Sequence, residues 1–250
     1  MNNLIKISLF IGLFAAFSFL NSCQEIIAPD STTQFGKLKS ETKWKVGVID
    51  GEKEIKIHHI DYDINGKVIL NEEYNKSGAI LQSSNYEHSQ NETKEIICIF
   101  NDSGAVINKA TIIYAYDALG KVTKRTQLDK SGSVLQVSVY DYDLNGNVIS
   151  KTDINPNGSS TSKTNFSYSY NKQGELIEKL TLADGETQSR DSLVYELNNK
   201  QLIIYTFDNF GFIKSYFIYH YNNFGLITEE SKFSNDDKII SRYKYEYLFY

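Results

Sequence analysis

Tyr140-Asp141-Tyr142-Asp143-Leu144-Asn145-Gly146-Asn147-Val148 decides how this chain folds. Two tyrosines at alternate positions lead into an aspartate, and a glycine stands three residues further on. Alternating side chains belong to extended backbone. Asp first and Gly fourth is the signature of a type I turn closed by a left-handed residue. The same arrangement recurs at Tyr114 to Gly120, Tyr168 to Gly174 and Tyr219 to Gly225, at intervals of about 26 residues. A chain built from one repeated unit is a stacked array, not a fold wrapped around a single catalytic pocket.

Two kinds of turn alternate. The first follows the tyrosine pair, as at Asp63 to Gly66 and Asp117 to Gly120; the second falls about 12 residues later, as at Asn75 to Gly78 and Asp129 to Gly132. Pro156 occupies a second turn position, where its fixed φ fits. Between turns the residues alternate with period two: Leu135, Val137 and Val139 face one side, Tyr140 and Tyr142 the other. Period two bounded by Asn, Asp and Gly reads as strand. Counting a weaker turn at Asp50-Gly51, about 15 turns and about 16 short antiparallel strands are expected, joined as a meander. A sheet of that width curls, splits or closes because neighbouring strands rotate against each other. The expected fold is therefore all-β, an antiparallel β-hairpin repeat array coiled into a superhelical or shell-like sheet.

Units such as Tyr116-Asp117-Ala118-Leu119-Gly120-Lys121-Val122 and Tyr142 to Val148 resemble the YD repeats of the RHS family, and the resemblance covers nearly all of residues 44 to 250. In that family the repeats form long β-sheet spirals, sometimes a shell around a toxin. This chain lacks the family's core-closing DPxGR-like motif and a C-terminal toxin segment, and it is too short to enclose a cargo domain. The resemblance thus implies fold and surface location, not toxin delivery.

The amino terminus carries an address. Lys6, the apolar run Ile7 to Leu20 and then Asn21-Ser22-Cys23 form a secretory signal over residues 1–22, not a membrane span. Leu20-Asn21-Ser22-Cys23 resembles the lipobox of bacterial lipoproteins, which implies cleavage before Cys23 and acylation of that cysteine with diacylglycerol and a fatty acid such as palmitate. Residues 23–43 read as the lipidated cysteine and a flexible tether, and residues 44–250 as the β-hairpin repeat domain. Gln24, where an aspartate would imply inner-membrane retention, implies by the same resemblance an outer-membrane lipoprotein on the periplasmic or surface face. The chain carries a net charge of −5, which argues against nucleic acid as a partner. Cys98 sits in an apolar strand pattern and reads as a structural thiol.

Chemistry-bearing motifs are few. Asp61 to Glu72 matches the calcium loop of an EF-hand, but the repeat frame makes Gly66 a turn glycine, and both flanks read as strands. No metal and no cofactor are expected. His58 and His59 point to opposite faces of one strand and cannot share a metal. No phosphate loop, Gly-x-Ser-x-Gly elbow or Cys-x-x-Cys is present, so no catalytic residue is assigned. Tyr114, Tyr140, Tyr168 and Tyr219 read as packing. Trp44, Tyr116, Tyr142, Tyr170 and Tyr221 read as the aromatic set to test for stacking on sugar rings. The last strand, Tyr243 to Tyr250, is expected to leave an open edge that caps the sheet or pairs with another chain by β-augmentation. An outer-membrane barrel fits the strand number, but Lys124 and Arg125 put charge on both faces of one strand, which argues against a lipid-facing wall.

The functional expectation is a lipid-anchored, non-catalytic binding or structural module of the cell envelope, for a glycan or a partner protein. The alternatives are an accessory or immunity partner of an envelope or secretion assembly, or a glycan-active enzyme with carboxylates drawn from distant strands.

Overall fold

The computed structural model describes residues 37–47, 53–183, 185–196, 200–208 and 210–250. The proposed signal segment, Cys23 and the Asp50-Gly51 turn lie outside the described residues. The first half of the chain forms β1 (Leu38–Val46), β2 (Ile55–Tyr62), β3 (Val68–Tyr74), β4 (Ile80–His88), β5 (Glu92–Phe100), β6 (Val106–Tyr116), β7 (Val122–Leu128) and β8 (Val134–Tyr142). The second half forms β9 (Val148–Ile154), β10 (Ser160–Tyr170), β11 (Leu176–Ala183), β12 (Glu186–Glu196), β13 (Gln201–Phe207), β14 (Ile213–Tyr221), β15 (Ile227–Ser234) and β16 (Ile239–Phe249). Every strand pairs antiparallel with its neighbours in sequence, and β16 pairs with β1, so the meander closes into a barrel.

The turns form as their residues dictate. At the quoted stretch the Gly146 amide donates to the Asp143 carbonyl at 3.1 Å, and the Asp143 amide donates to the Asn147 carbonyl at 2.9 Å. Gly146 has φ +91°, a conformation in which any other residue would carry a Cβ penalty. The turn carboxylates hold the loop amides: Asp129 accepts from the backbone amides of Ser131 at 2.8 Å and Ser133 at 2.9 Å. The Ser131 hydroxyl and then these amides keep its carboxyl below the usual carboxylate range. After most turns the ladder register slips, as between Asp141 and Tyr142, which pairs with Val148. Each slip is the bulge that a glycine-closed three-residue loop produces.

Closure has consequences for three expectations. The last strand is not an edge strand: β16 pairs with β1 along Arg242 to Phe249 and with β15 along Ile239 to Lys244. The repeat domain begins earlier than the expected residue 44, because β1 starts at Leu38, inside the stretch assigned to linker. Lys39-Ser40-Glu41-Thr42-Lys43 lacks apolar alternation because the face it turns inward is polar. The sheet closes as a shell, in barrel form; the charges of Lys124 and Arg125 argued against a lipid-facing wall and bear on what surrounds the barrel, not on whether it closes.

Ladder registers assign every strand's two faces. The face that holds Lys43, His58, Glu95, Ile112, Leu202, Tyr219 and Glu230, all buried, runs continuously round the barrel and is the inner wall. Val139, Leu135 and Val194 stand on the opposite face and are exposed. The tyrosine face therefore points in and the aliphatic face of several hairpins points out. Leu176, Leu193, Leu202, Tyr219 and Ile227 pack as one core cluster, backed by Tyr168, Tyr195, Ile204, Phe217, Tyr221 and Tyr245. The five core members come from the consecutive strands β11 to β15, so the core lines one side of the wall. The inner wall is tightly covered, with Leu202, Glu95 and Ser138 each 1% exposed.

Candidate functional site in the barrel lumen

Round the inner wall, the first tyrosine of each motif faces one inner residue across the ladder. Tyr86 pairs with Glu95, Tyr114 with Arg125, Tyr140 with Lys151, Tyr168 with Lys179, Tyr195 with Leu202, and Tyr219 with Glu230. At the seam Tyr245 pairs with Lys43. One repeat position thus holds a tyrosine almost throughout, while its partner changes from acid to base to aliphatic.

Two acids anchor this girdle. Glu95 accepts the hydroxyls of Tyr86 at 3.0 Å and Tyr114 at 2.7 Å. Glu230 accepts Lys43 Nζ at 2.7 Å and the Tyr245 hydroxyl at 2.5 Å. The Lys43 ammonium also stands over the rings of Tyr243 and Tyr245, with centroids at 4.3 and 5.1 Å. Both ends of the Lys43–Glu230 pair are buried, with side chains 8% and 7% exposed, so each charge depends on the other. The pair spans β16 to join β1 to β15, and it locks the closure. Burial, then the Glu230 carboxylate, pushes the Tyr245 phenol far above its usual range.

Beside this seam, burial raises the Glu41 carboxyl to about 7, against a smaller opposing pull from Lys43. Burial also raises Glu73. Burial lowers His58 to about 4, which keeps its imidazole neutral beside Lys43. His59 points outward, where its Nδ1 meets Thr42 Oγ1 at 2.8 Å and its Nε2 meets Asp61 at 3.2 Å. The two histidines are split between faces, as alternation requires.

The apparent calcium loop is the β2–β3 hairpin. Asp63 accepts the amides of Asn65 at 2.8 Å and Lys67 at 2.9 Å, and Asp61 stands across the ladder from Leu70. Among the described residues no three His, Cys, Asp or Glu side chains group for a metal.

The aromatic set expected for stacking is only partly assembled. Tyr116, Tyr142, Tyr170 and Tyr221 all end strands at one rim, at β6, β8, β10 and β14. Trp44 is elsewhere, on the outer face of β1, donating from Nε1 to Glu246 at 2.9 Å. The rim carries a second job that sequence reasoning missed. The Tyr142 hydroxyl donates to the Val122 carbonyl at 2.7 Å, Tyr168 to Val148 at 2.8 Å, and Tyr247 to Ile227 at 2.8 Å. His88 Nε2 meets the Val68 carbonyl at 2.6 Å in the same relation. Each acceptor lies two residues after a turn glycine, beside the bulge, so the tyrosines cover carbonyls that the bulge leaves without a ladder partner. The constant 20-residue offset between donor and acceptor was readable in the sequence. Tyr170 departs from this pattern: Gly146 and Gly174 lie 28 residues apart against 26 for Gly120 and Gly146, so Tyr168 takes the carbonyl. Tyr170 is left 36% exposed.

The outer wall is mixed. Arg190 pairs with Glu178 at 2.5 Å, Arg242 with Glu229 at 3.2 Å, and Lys94 with Glu87 at 3.0 Å. On β13 to β15, Tyr205, Tyr216 and Phe233 stand directly opposite one another, with centroids 5.4 and 4.8 Å apart.

A known structure shares this fold. A porin-like protein from Bacteroides uniformis superposes with a TM-score of 0.53 at 12% identity, over 86% of this chain and 99% of that one. A second porin-like protein, from Bacteroides vulgatus, gives 0.46 at 14% identity over 85% and 99%. The Photorhabdus luminescens Tc holotoxin pore gives 0.21 at 14% identity, over 76% of this chain and 13% of that one. No curated protein matches the chain. The RHS repeat family model matches residues 142–187, from the second tyrosine of the quoted stretch through β11 to the start of β12. Residues 142–187 are thus similar to RHS repeats, and the hairpins of the chain close into a sixteen-stranded barrel.

Proposed function

We propose that this protein is a non-catalytic binding module of the cell envelope, held to a membrane by acyl chains on Cys23, and that its lumen takes a polyhydroxylated ligand, a glycan. The observation that carries the reading is the inner wall: tyrosines alternate with Glu95, Arg125, Lys151, Lys179 and Glu230, so aromatic faces and charged hydrogen-bonding groups repeat at ladder spacing. Sugars are recognised by that mixture of apolar ring faces and placed polar groups. Tyr116, Tyr142 and Tyr221 would form the rim of the site, with Tyr170 more exposed beside them and Trp44 apart on the outer wall.

Anchoring, not insertion, fits the outer wall. Its ion pairs on β4–β5, β11–β12 and β15–β16 would each meet a penalty of about 2–4 kcal/mol near a bilayer midplane. The test is glycan-array binding by residues 37–250, followed by calorimetry on hits with a Tyr114→Ala and Tyr140→Ala double variant. Loss of binding in a folded variant supports the lumen; retention on the array with no effect of the double variant moves the site elsewhere. Cys23→Ser should shift the full chain from membrane to soluble fraction.

A second reading has its own observation. The stacked row Tyr205–Tyr216–Phe233, with Phe210 85% and Phe212 71% exposed at the adjoining turn, offers an apolar strip to a protein partner of an envelope assembly. Tyr216→Ser would abolish co-purification of such a partner and leave glycan binding intact.

A further inference from the structure

The three arginines of the chain divide by face. Arg190 and Arg242 lie on the outer wall, and each reaches a carboxylate, Glu178 and Glu229. Arg125 lies on the inner wall, across the ladder from Tyr114 on β6 and Ser138 on β8. Among the described residues, no carboxylate stands within ion-pair distance of it. That is the reverse of the usual pattern, in which the enclosed charge is paired and the surface charge is not. The nearby acceptors are committed to others. Tyr114 donates its hydroxyl to Glu95 at 2.7 Å. Asp153 takes the Ser138 hydroxyl at 2.5 Å and Lys151 Nζ at 2.9 Å. The charge of Arg125 is felt at the phenols of Tyr114 and Tyr140, where it opposes the effect of burial. Those two rings therefore flank the guanidinium, one on the strand before it and one on the strand after.

A guanidinium stays charged at any physiological pH and presents a planar fork of donors that matches a carboxylate bidentately. Enclosed in a barrel without a counter-ion, it is poised for a ligand that brings one. We propose that Arg125 is the anion-recognition residue of the lumen, and that the ligand is an acidic saccharide whose carboxylate meets Arg125 while its ring packs against Tyr114 or Tyr140. The proposal rests on the lumen as the binding site and adds the class of sugar. Lys151 and Lys179 hold the matching positions on β9 and β11, roughly 10 Å apart from strand to alternate strand. Lys151 is already paired with Asp153 at 2.9 Å, so the proposal rests on Arg125 and not on this row.

The experiment compares oligogalacturonate with its fully methyl-esterified form, which has the same rings and no charge, and with a sulfated neutral oligosaccharide of equal length. The expected result is at least 10-fold tighter binding of the acid than of the ester. Arg125→Gln should abolish that preference without lowering the thermal midpoint, and Arg125→Lys should keep only part of it, since it keeps the charge and loses the fork. Equal affinity for acid and ester would overturn the proposal while leaving the glycan reading in place. So would an Arg125→Lys variant indistinguishable from wild type, or a sulfated probe that binds as well as the carboxylate. Failure of every saccharide to bind would bring down both.

Discussion

The two sides of the lumen are built from the same repeat and filled with opposite chemistry. On β11 to β15 the inner wall is Leu176, Leu193, Leu202, Tyr219 and Ile227, an apolar cluster. From β15 across the seam to β5 it is Glu230, Lys43, Glu41, His58 and Glu95, nearly all buried. Leu202 and Glu230 even occupy the same kind of place, each opposite a motif tyrosine on a neighbouring strand. The turns and bulges fix the backbone, so the residue opposite that tyrosine is free to vary without moving the wall. The two sides are thereby held differently: one by apolar burial, the other by paired charges on inward-facing polar groups.

The sharpest way to break this contrast is at the seam. Glu230→Ala leaves Lys43 buried without its partner and removes the acceptor of Tyr245, and it should destabilise the barrel by about 4 kcal/mol. Replacing both ends, Lys43→Met with Glu230→Leu, should recover most of that loss, because an apolar pair has no charge to desolvate. Denaturant unfolding of the three variants checks this; a double variant as unstable as the single one would show that the seam needs the ion pair itself. On the apolar side, Leu202→Ala at 1% exposure should cost about 3 kcal/mol, and no partner substitution should restore it.

A smaller effect separates the sides by pH. Glu41 has a folded pKa of about 7, above the ordinary 4.5. The folded state therefore binds its proton more tightly than the unfolded state. The stability this contributes is complete below pH 4.5 and is lost as pH rises towards and through 7. Glu41→Gln should match wild type near pH 4 and exceed it at pH 8 by on the order of 2 kcal/mol. A parallel pH dependence in both proteins would place the titration in another group.

Much of this architecture was legible because its signals are local. Gly146 and Gly120 need φ near +91° and +77°, which few other residues adopt, so glycine spacing reports chain reversals directly. Closure was not legible. The partner of Tyr245 is Lys43, some 200 positions away, and the polar run around Lys43 looks like linker until its inward face is known to be polar. The direction of the faces was hidden for the same reason: alternation says that tyrosines and aliphatics part company, not which set enters the lumen. The site was half legible. The tyrosine row was visible, but the residues that vary opposite it, Arg125 and Glu230 above all, belong to a ladder that only the register reveals.

The smallest predicted effect tests whether the rim tyrosines are structural or available. Tyr142 and Tyr170 look alike in sequence, each the second tyrosine of its motif. Tyr142 donates to the Val122 carbonyl beside a bulge, and its phenol is raised to about 12, first by burial. Tyr170, displaced by the longer repeat, instead accepts from Asn147 Nδ2 at 2.5 Å at an exposed position. Removing one hydroxyl should therefore have unequal effects. Tyr142→Phe leaves a half-buried carbonyl without a donor and should cost about 1 kcal/mol, whereas Tyr170→Phe should change stability by less than about 0.5 kcal/mol. Equal losses in urea unfolding would mean that the rim bonds do not hold the bulges. A large loss at Tyr170 alone would mean that the 28-residue repeat is held by that ring and not by Tyr168.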